Sequence, residues 1–120
     1  ELTQIKTPDH LDGVSIAPLL KDPLATWDGP PAVGTWHFNN HTVRTDRFRY
    51  LRWDNGDEEL YDHDHDPYEW YNLLHASNVD RTKGIDIAAV VAEHRAYFPT
   101  INRTEEEGQA YFAHRVPPTP

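Results

Sequence analysis

Neither cysteine nor methionine occurs among the 120 residues. Without cysteine there is no disulfide, no thiolate metal site and no cysteine nucleophile, and thiol usage says nothing about redox compartment. The lack of methionine, with Glu1 at the start, leads us to expect a processed or truncated piece of a longer product. No apolar run approaches the length of a membrane span. The first residues also lack the basic and apolar regions of a signal peptide. Positive charge is scarce: 11 Lys and Arg stand against 20 Asp and Glu, a net charge of −9. That balance offers no basic surface to nucleic acid or to an anionic membrane. Glycine is sparse as well, and no phosphate-cradling glycine loop, Ser/His/Asp arrangement or nucleophile elbow can be found.

What the chain does have is aromatic side chains and proline. Four Trp, six Tyr and four Phe within a hydrophobic fraction of 38% are enough for one modest core. Ten prolines and a mean hydropathy of −0.79 imply much loop. Residues 1–31 read as a connecting segment with a short helix that Ser15 can cap, Pro18 in its first turn and Asp22-Pro23 as its stop. Strands are predicted over 32–38, 41–45, 48–53 and 58–62. From Asp86 the period becomes helical, with Ile87, Val90, Val91, His94, Tyr97 and Phe98 on one buried face, Asp86 as N-cap and Pro99 as stop. Residues 32–99 thus form a sheet with a packing helix, and 100–120 an acidic, then proline-rich extended tail.

Residues 43–74, VRTDRFRYLRWDNGDEELYDHDHDPYEWYNLL, carry most of the information. Asn55-Gly56 suits a two-residue type I′ turn. Pivoting there pairs Trp53 with Glu58, Arg52 with Glu59, Leu51 with Leu60, Tyr50 with Tyr61 and Arg49 with Asp62. Phe48, Tyr50, Tyr61 and His63 then share one face, and Leu51, Trp53 and Leu60 the other. Asp66-Pro67 should stop pairing and open a short helical turn through Tyr71, with Trp70, Leu73 and Leu74 covering a sheet edge or the core. The fold class is α+β, a four-stranded antiparallel sheet packed by one C-terminal helix. Both sheet faces are apolar, so one should take the helix and the other a second domain.

Two clusters invite chemistry. Asp62-His63-Asp64-His65-Asp66 alternates carboxylate and imidazole in the manner of a divalent-metal site. In an extended strand, however, neighbouring side chains point to opposite faces and cannot converge on one ion, so an exposed acidic turn beside a His63 partly buried in the core is the expectation. His37, Asn39, Asn40 and His41 stand at a strand end beside a turn, a common place for functional side chains on a rigid scaffold. An ordinary turn, with Arg44 paired to a local acid, is the alternative. Asn40-His41-Thr42 and Asn102-Arg103-Thr104 match the N-glycosylation pattern, which matters only in a eukaryotic secreted protein.

VRTDRFRYLRW, then EELYD, then DPYEWYNL resembles the C-terminal subdomain of the type I, formylglycine-dependent sulfatases, most nearly bacterial iduronate-2-sulfatase-like members. HLDGVSIAPLLKDP, NNHTVRT and HRAYFPTIN agree with the same subdomain in order and spacing, so the resemblance spans about residues 9–103. It implies a larger N-terminal sulfatase domain or chain as partner and a sulfated carbohydrate as substrate. It also implies a periplasmic, secreted or lysosomal setting. The loop matching NNHTVR would lie toward the mouth of the active-site pocket. There His41 would donate a hydrogen bond to a sulfated sugar, Arg44 would contact a carboxylate or sulfate, and Asn40 and His37 would stand beside them. Calcium and the formylglycine nucleophile, made from Cys or sometimes Ser in a CxPSR-type motif, are expected in the missing catalytic part, because none of those motifs is matched here. A non-catalytic acidic module that docks a protein or a divalent cation is the competing expectation.

Overall fold

The computed structural model describes residue 6, residues 13–107 and residue 110. Two compact units emerge, 1–30 and 31–120. In the first, a helix α1 (Ala17–Lys21) carries proline in its opening turn, and the Ser15 hydroxyl accepts from the Ala17 amide at 3.2 Å. Its N-cap is Ile16, one residue later than the serine expected in that role.

The second unit is a meander of four antiparallel strands in chain order: β1 (Ala32–Trp36), β2 (Asn40–Arg44), β3 (Phe48–Arg52) and β4 (Glu58–Asp62). A 3₁₀ segment (Ala76–Thr82) and helix α2 (Ile87–Arg95) follow. The Asp86 carboxylate accepts from the Ala89 amide at 3.0 Å, as an N-cap should. Ile87, Val90, Val91 and Phe98 pack on a core of Tyr50, Leu60 and Leu73. His94 is buried beneath them, its Nδ1 donating to the Val90 carbonyl at 2.7 Å and its Nε2 lying 3.3 Å from the Thr45 hydroxyl. Tyr97, expected on this buried face, is 43% exposed.

The β3–β4 register differs by one residue from the sequence expectation. Tyr50 faces Leu60, Arg52 faces Glu58 and Phe48 faces Asp62. The turn is the cause. Trp53 and Asp57 close a three-residue loop, through Trp53 N–H to Asp57 O and Gly56 N–H to Trp53 O, both 2.9 Å. Only Gly56 has positive φ, at 90°, while Asn55 folds its side chain onto Asp57 instead of adopting a left-handed backbone. One added loop residue shifts the register, and a one-residue shift turns all of β4 over. Leu60 therefore lies on the helix face, fully buried against Tyr50, while Tyr61 and His63 join Leu51 and Trp53 on the open face.

Every expected Arg–carboxylate pair changes accordingly. Arg47, not Arg49, takes Asp62, through two bonds of 2.8 Å. Arg49 reaches Glu69 at 2.8 Å, and Arg52 makes no ion pair among the described residues. Glu58 is bound instead by Arg95 of α2, and the two share the buried Tyr50 hydroxyl, which donates to Glu58 at 3.0 Å and accepts from Arg95 at 2.8 Å. Burial, more than these partners, pushes the Tyr50 phenol up. Arg95→Ala, which takes from the phenol the donor it accepts from and from Glu58 its cation, should destabilise the complete protein by about 1–2 kcal/mol. Arg52→Ala should change it by less than about 0.5 kcal/mol in the same denaturant titration.

Asp62 is 4% exposed and accepts from Arg47, from the Asp64 amide at 3.2 Å and from His65 at 2.9 Å. The Arg47 guanidinium, above all, lowers its carboxyl from 3.8 to about 2. A carboxyl lowered on folding stabilises fully above its unfolded value and ceases to do so as pH falls through the folded value. The contribution, about 1–2 kcal/mol after allowing for the half-exposed guanidinium, should therefore vanish between pH 3.8 and about 2. Acid titration of Asp62→Asn should show a flatter loss of stability through that window than the parent.

Candidate functional site

The β1–β2 and β3–β4 turns meet at one end of the sheet, and Asn40 binds them together. Its amide nitrogen donates to the Trp36 and Phe38 carbonyls at 2.9 and 3.0 Å, while its Oδ1 accepts from the Asp54 amide at 2.9 Å. Asn39 adds a bond to the Asp54 carboxylate at 3.2 Å. The chain turns this tightly because His37 and Asn39 both adopt left-handed backbone, with φ of 52° and 58°. His37 stands exposed, edge-on to Trp36 at 4.5 Å, with no hydrogen bond among the described residues.

His41 faces the other way. It is 4% exposed, its ring 5.1 Å from that of Phe98 and its Nδ1 3.0 Å from the Thr35 hydroxyl. Its Nε2 is buried with no hydrogen-bond partner among the described residues. Arg44 donates to the Thr45 and Asp46 carbonyls and so shapes the turn into β3. Of the four expected substrate-side residues, His37 and Asn40 share the turn end, His41 lies under the helix-side core, and Arg44 belongs to the opposite end of β2.

On the open face, Trp36 and Trp53 bound a groove of about 310 Å³ whose floor is Gly34, Thr42 and Leu51. A Cβ on Gly34 would come within 3.0 Å of Thr42 Cγ2, so glycine keeps this floor low. Two carboxylates organise the remainder of the face. Glu59 accepts from Trp53 Nε1 at 2.7 Å and from the Tyr61 hydroxyl at 2.6 Å. Burial first, and then that bond, raise the Tyr61 phenol well above its usual range. Glu69 accepts from Arg49 and lies 2.8 Å from His63 Nε2, although its own backbone is left-handed at φ 58°. Such a conformation costs about 1–3 kcal/mol in a non-glycine residue and persists only where surrounding contacts hold it.

The Asp/His run is consumed by these contacts. Asp62 is bound as described, His63 meets Glu69, His65 meets Asp62, and Asp66 accepts from the Tyr71 amide at 2.8 Å. His63 lies on the open face rather than in the core. Asp66-Pro67 opens a turn that reverses at Glu69, not a helical one, and Trp70 is 74% exposed instead of covering the core. Sequence reasoning passed over Asn72, which closes the β4 edge by accepting from the Leu60 amide and donating to the Glu58 carbonyl. Nothing in its local sequence singles it out.

The fold alone defines an α+β sheet-and-helix module, with one sheet face left uncovered among the described residues of the second unit. Comparison with known proteins gives the family. No family model matches the chain. It is 32% identical over 104 residues to a Bacteroides thetaiotaomicron protein named Delta 4,5-hexuronate-2-O-sulfatase, a match covering 80% of this chain and 20% of that one. A Formosa agariphila sulfatase is 46% identical over 41 residues, 34% of this chain and 8% of the relative. A crystal structure described as a sulfatase of Bacteroides thetaiotaomicron superposes with a TM-score of 0.55 at 31% identity, over 79% of this chain and 20% of the other. The chain belongs to the sulfatases. It spans about a fifth of the length of the Bacteroides relative and less than a tenth of the Formosa one.

Asn40→Ala should uncouple the two turns at a cost of about 1–2 kcal/mol. Amide hydrogen exchange at Asp54 should accelerate strongly, while that of Leu60 stays slow.

Proposed function

We propose that this chain is part of a sulfatase that hydrolyses sulfate esters on a carbohydrate, and that the turn end of its sheet forms one wall of the substrate pocket. The observation that carries the reading is the similarity over four-fifths of the chain to a protein named as a hexuronate sulfatase. The chemistry of ester cleavage belongs to the larger part. Formylglycine requires a Cys or Ser in a CxPSR-type motif, and this chain has no Cys, while Ser15 and Ser77 stand in no such motif. Among the described residues no three His, Asp or Glu side chains converge as a metal group would need. The residues present fit neither formylglycine nor calcium, and both are assigned to the larger part.

Within the wall, His37 is the exposed imidazole free to meet a sulfated sugar. His41, buried behind the turn with its Nε2 unpaired among the described residues, supports the wall from within. Asn40 holds the turn that carries His37, and Arg44 holds the next one. A hydrogen bond from imidazole to an anionic substrate is worth about 1.5–3 kcal/mol, or about tenfold and upward in affinity.

The test uses the complete sulfatase and a 2-O-sulfated unsaturated hexuronate disaccharide. His37→Ala should raise KM about tenfold with kcat little changed. His41→Asn, which keeps an acceptor near Thr35 and removes the Nε2 position, should impair turnover without unfolding the protein. Parent-like kinetics in both variants would remove the turn end from the pocket.

A further inference from the structure

Arg52, the last residue of β3, is the one arginine of the sheet and of α2 with no hydrogen bond, ion pair or ring contact among the described residues. Arg44 donates to turn carbonyls, Arg47 and Arg49 are bound by Asp62 and Glu69, and Arg95 by Glu58. The acid directly opposite Arg52 is Glu58, but its carboxylate is turned to Arg95 and to the Tyr50 hydroxyl. Two arginines therefore flank one carboxylate, an excess of positive charge in a chain whose net charge is −9. The acids of the adjoining turn, Asp54 and Asp57, are turned onto Asn39 and Asn55 instead. The neighbour of Arg52 on β2 is His41. Its Nε2 also lacks a partner among the described residues, but it is buried. Of the two groups, only the half-buried Arg52 can be reached from outside.

We propose that Arg52 is a substrate-binding residue that recognises the carboxylate of a sulfated uronate. The proposal rests on the sulfatase reading above and names the class of sugar that the turn end takes. Arg52 ends β3 where the chain enters the turn that Asn40 ties to its neighbour, so the guanidinium stands at the wall assigned to the pocket. A guanidinium presents two parallel N–H donors, a fork that matches the two oxygens of a planar carboxylate. The Bacteroides relative is named for a hexuronate, a sugar that bears a carboxylate in addition to its sulfate ester. The ester is the bond that the larger part breaks, which leaves the carboxylate as the anion for this wall to hold. An arginine with no ion pair of its own gives none up on meeting the ligand, so the contact counts in full toward binding.

The test compares two substrates in the complete sulfatase, the 2-O-sulfated unsaturated hexuronate disaccharide and its uronate methyl ester, which keeps the sulfate and loses the carboxylate charge. Arg52→Ala should lower kcat/KM on the free acid about 30-fold, mostly through KM, and leave that on the methyl ester unchanged. Arg52→Lys, which keeps the charge without the fork, should recover part of the loss. Neither variant should move the denaturant midpoint, because the side chain has no partner in the fold to lose. Parent-like kinetics of Arg52→Ala on both substrates would overturn the proposal and leave the sulfatase reading standing. Equal losses on both would assign Arg52 to the sulfate or, with a lowered midpoint, to the fold, and would overturn it as well. A parent enzyme that cleaves other sulfate esters but neither of these would overturn the sugar class alone. One that cleaves no sulfate ester would overturn the sulfatase reading together with the proposal.

Discussion

The facing of Tyr50 and Leu60 across β3 and β4 is the constraint on which the other contacts depend. Both side chains are fully buried against α2, and the Tyr50 hydroxyl, which burial obliges to find partners, lies between Glu58 and Arg95. A buried phenol left without partners would cost more than the pair contributes, so the hydrogen bonds and the packing stand or fall together. The pairing also decides what faces outward. With Leu60 inside, Glu59 and Tyr61 must lie on the open face, where Glu59 gathers Trp53 and Tyr61 into one network.

The open face is therefore neither a bare hydrophobic surface nor a solvated one. It combines exposed rings at both ends, Trp36 near the turns and Tyr68 with Trp70 by β4, with two carboxylates that hold their neighbours in place. Pre-ordering of this kind suits a surface that meets other protein, because rigid rings lose little freedom on contact.

Much of the fold was legible. Strand positions, the helix with its Asp86 cap and the bare second face follow from hydrophobic period and cap chemistry, since those signals are local. The register was not. Asn-Gly is compatible with a two-residue and a three-residue loop, and the choice lies with Leu60, which gains burial against a helix about thirty residues away in sequence. That non-local preference misplaced both expected arginine pairings at once, those of Arg49 and Arg52. The same limit applies to Trp70, expected to cover a sheet edge or the core and found 74% exposed. Its exposure follows from the left-handed Glu69, whose conformation depends on Arg49 and His63. At the candidate site, the polar cluster around His37 and Asn40 could be located from its turn residues. The inward direction of His41 could not, because it depends on which face of β2 meets Phe98.

The central claim is that this chain works as one part of a sulfatase and not alone. Native mass spectrometry of the protein from its natural source tests it most directly. The account predicts these residues within a species much larger than 13.9 kDa that carries a formylglycine. A folded species of 13.9 kDa, with no larger partner, would contradict it.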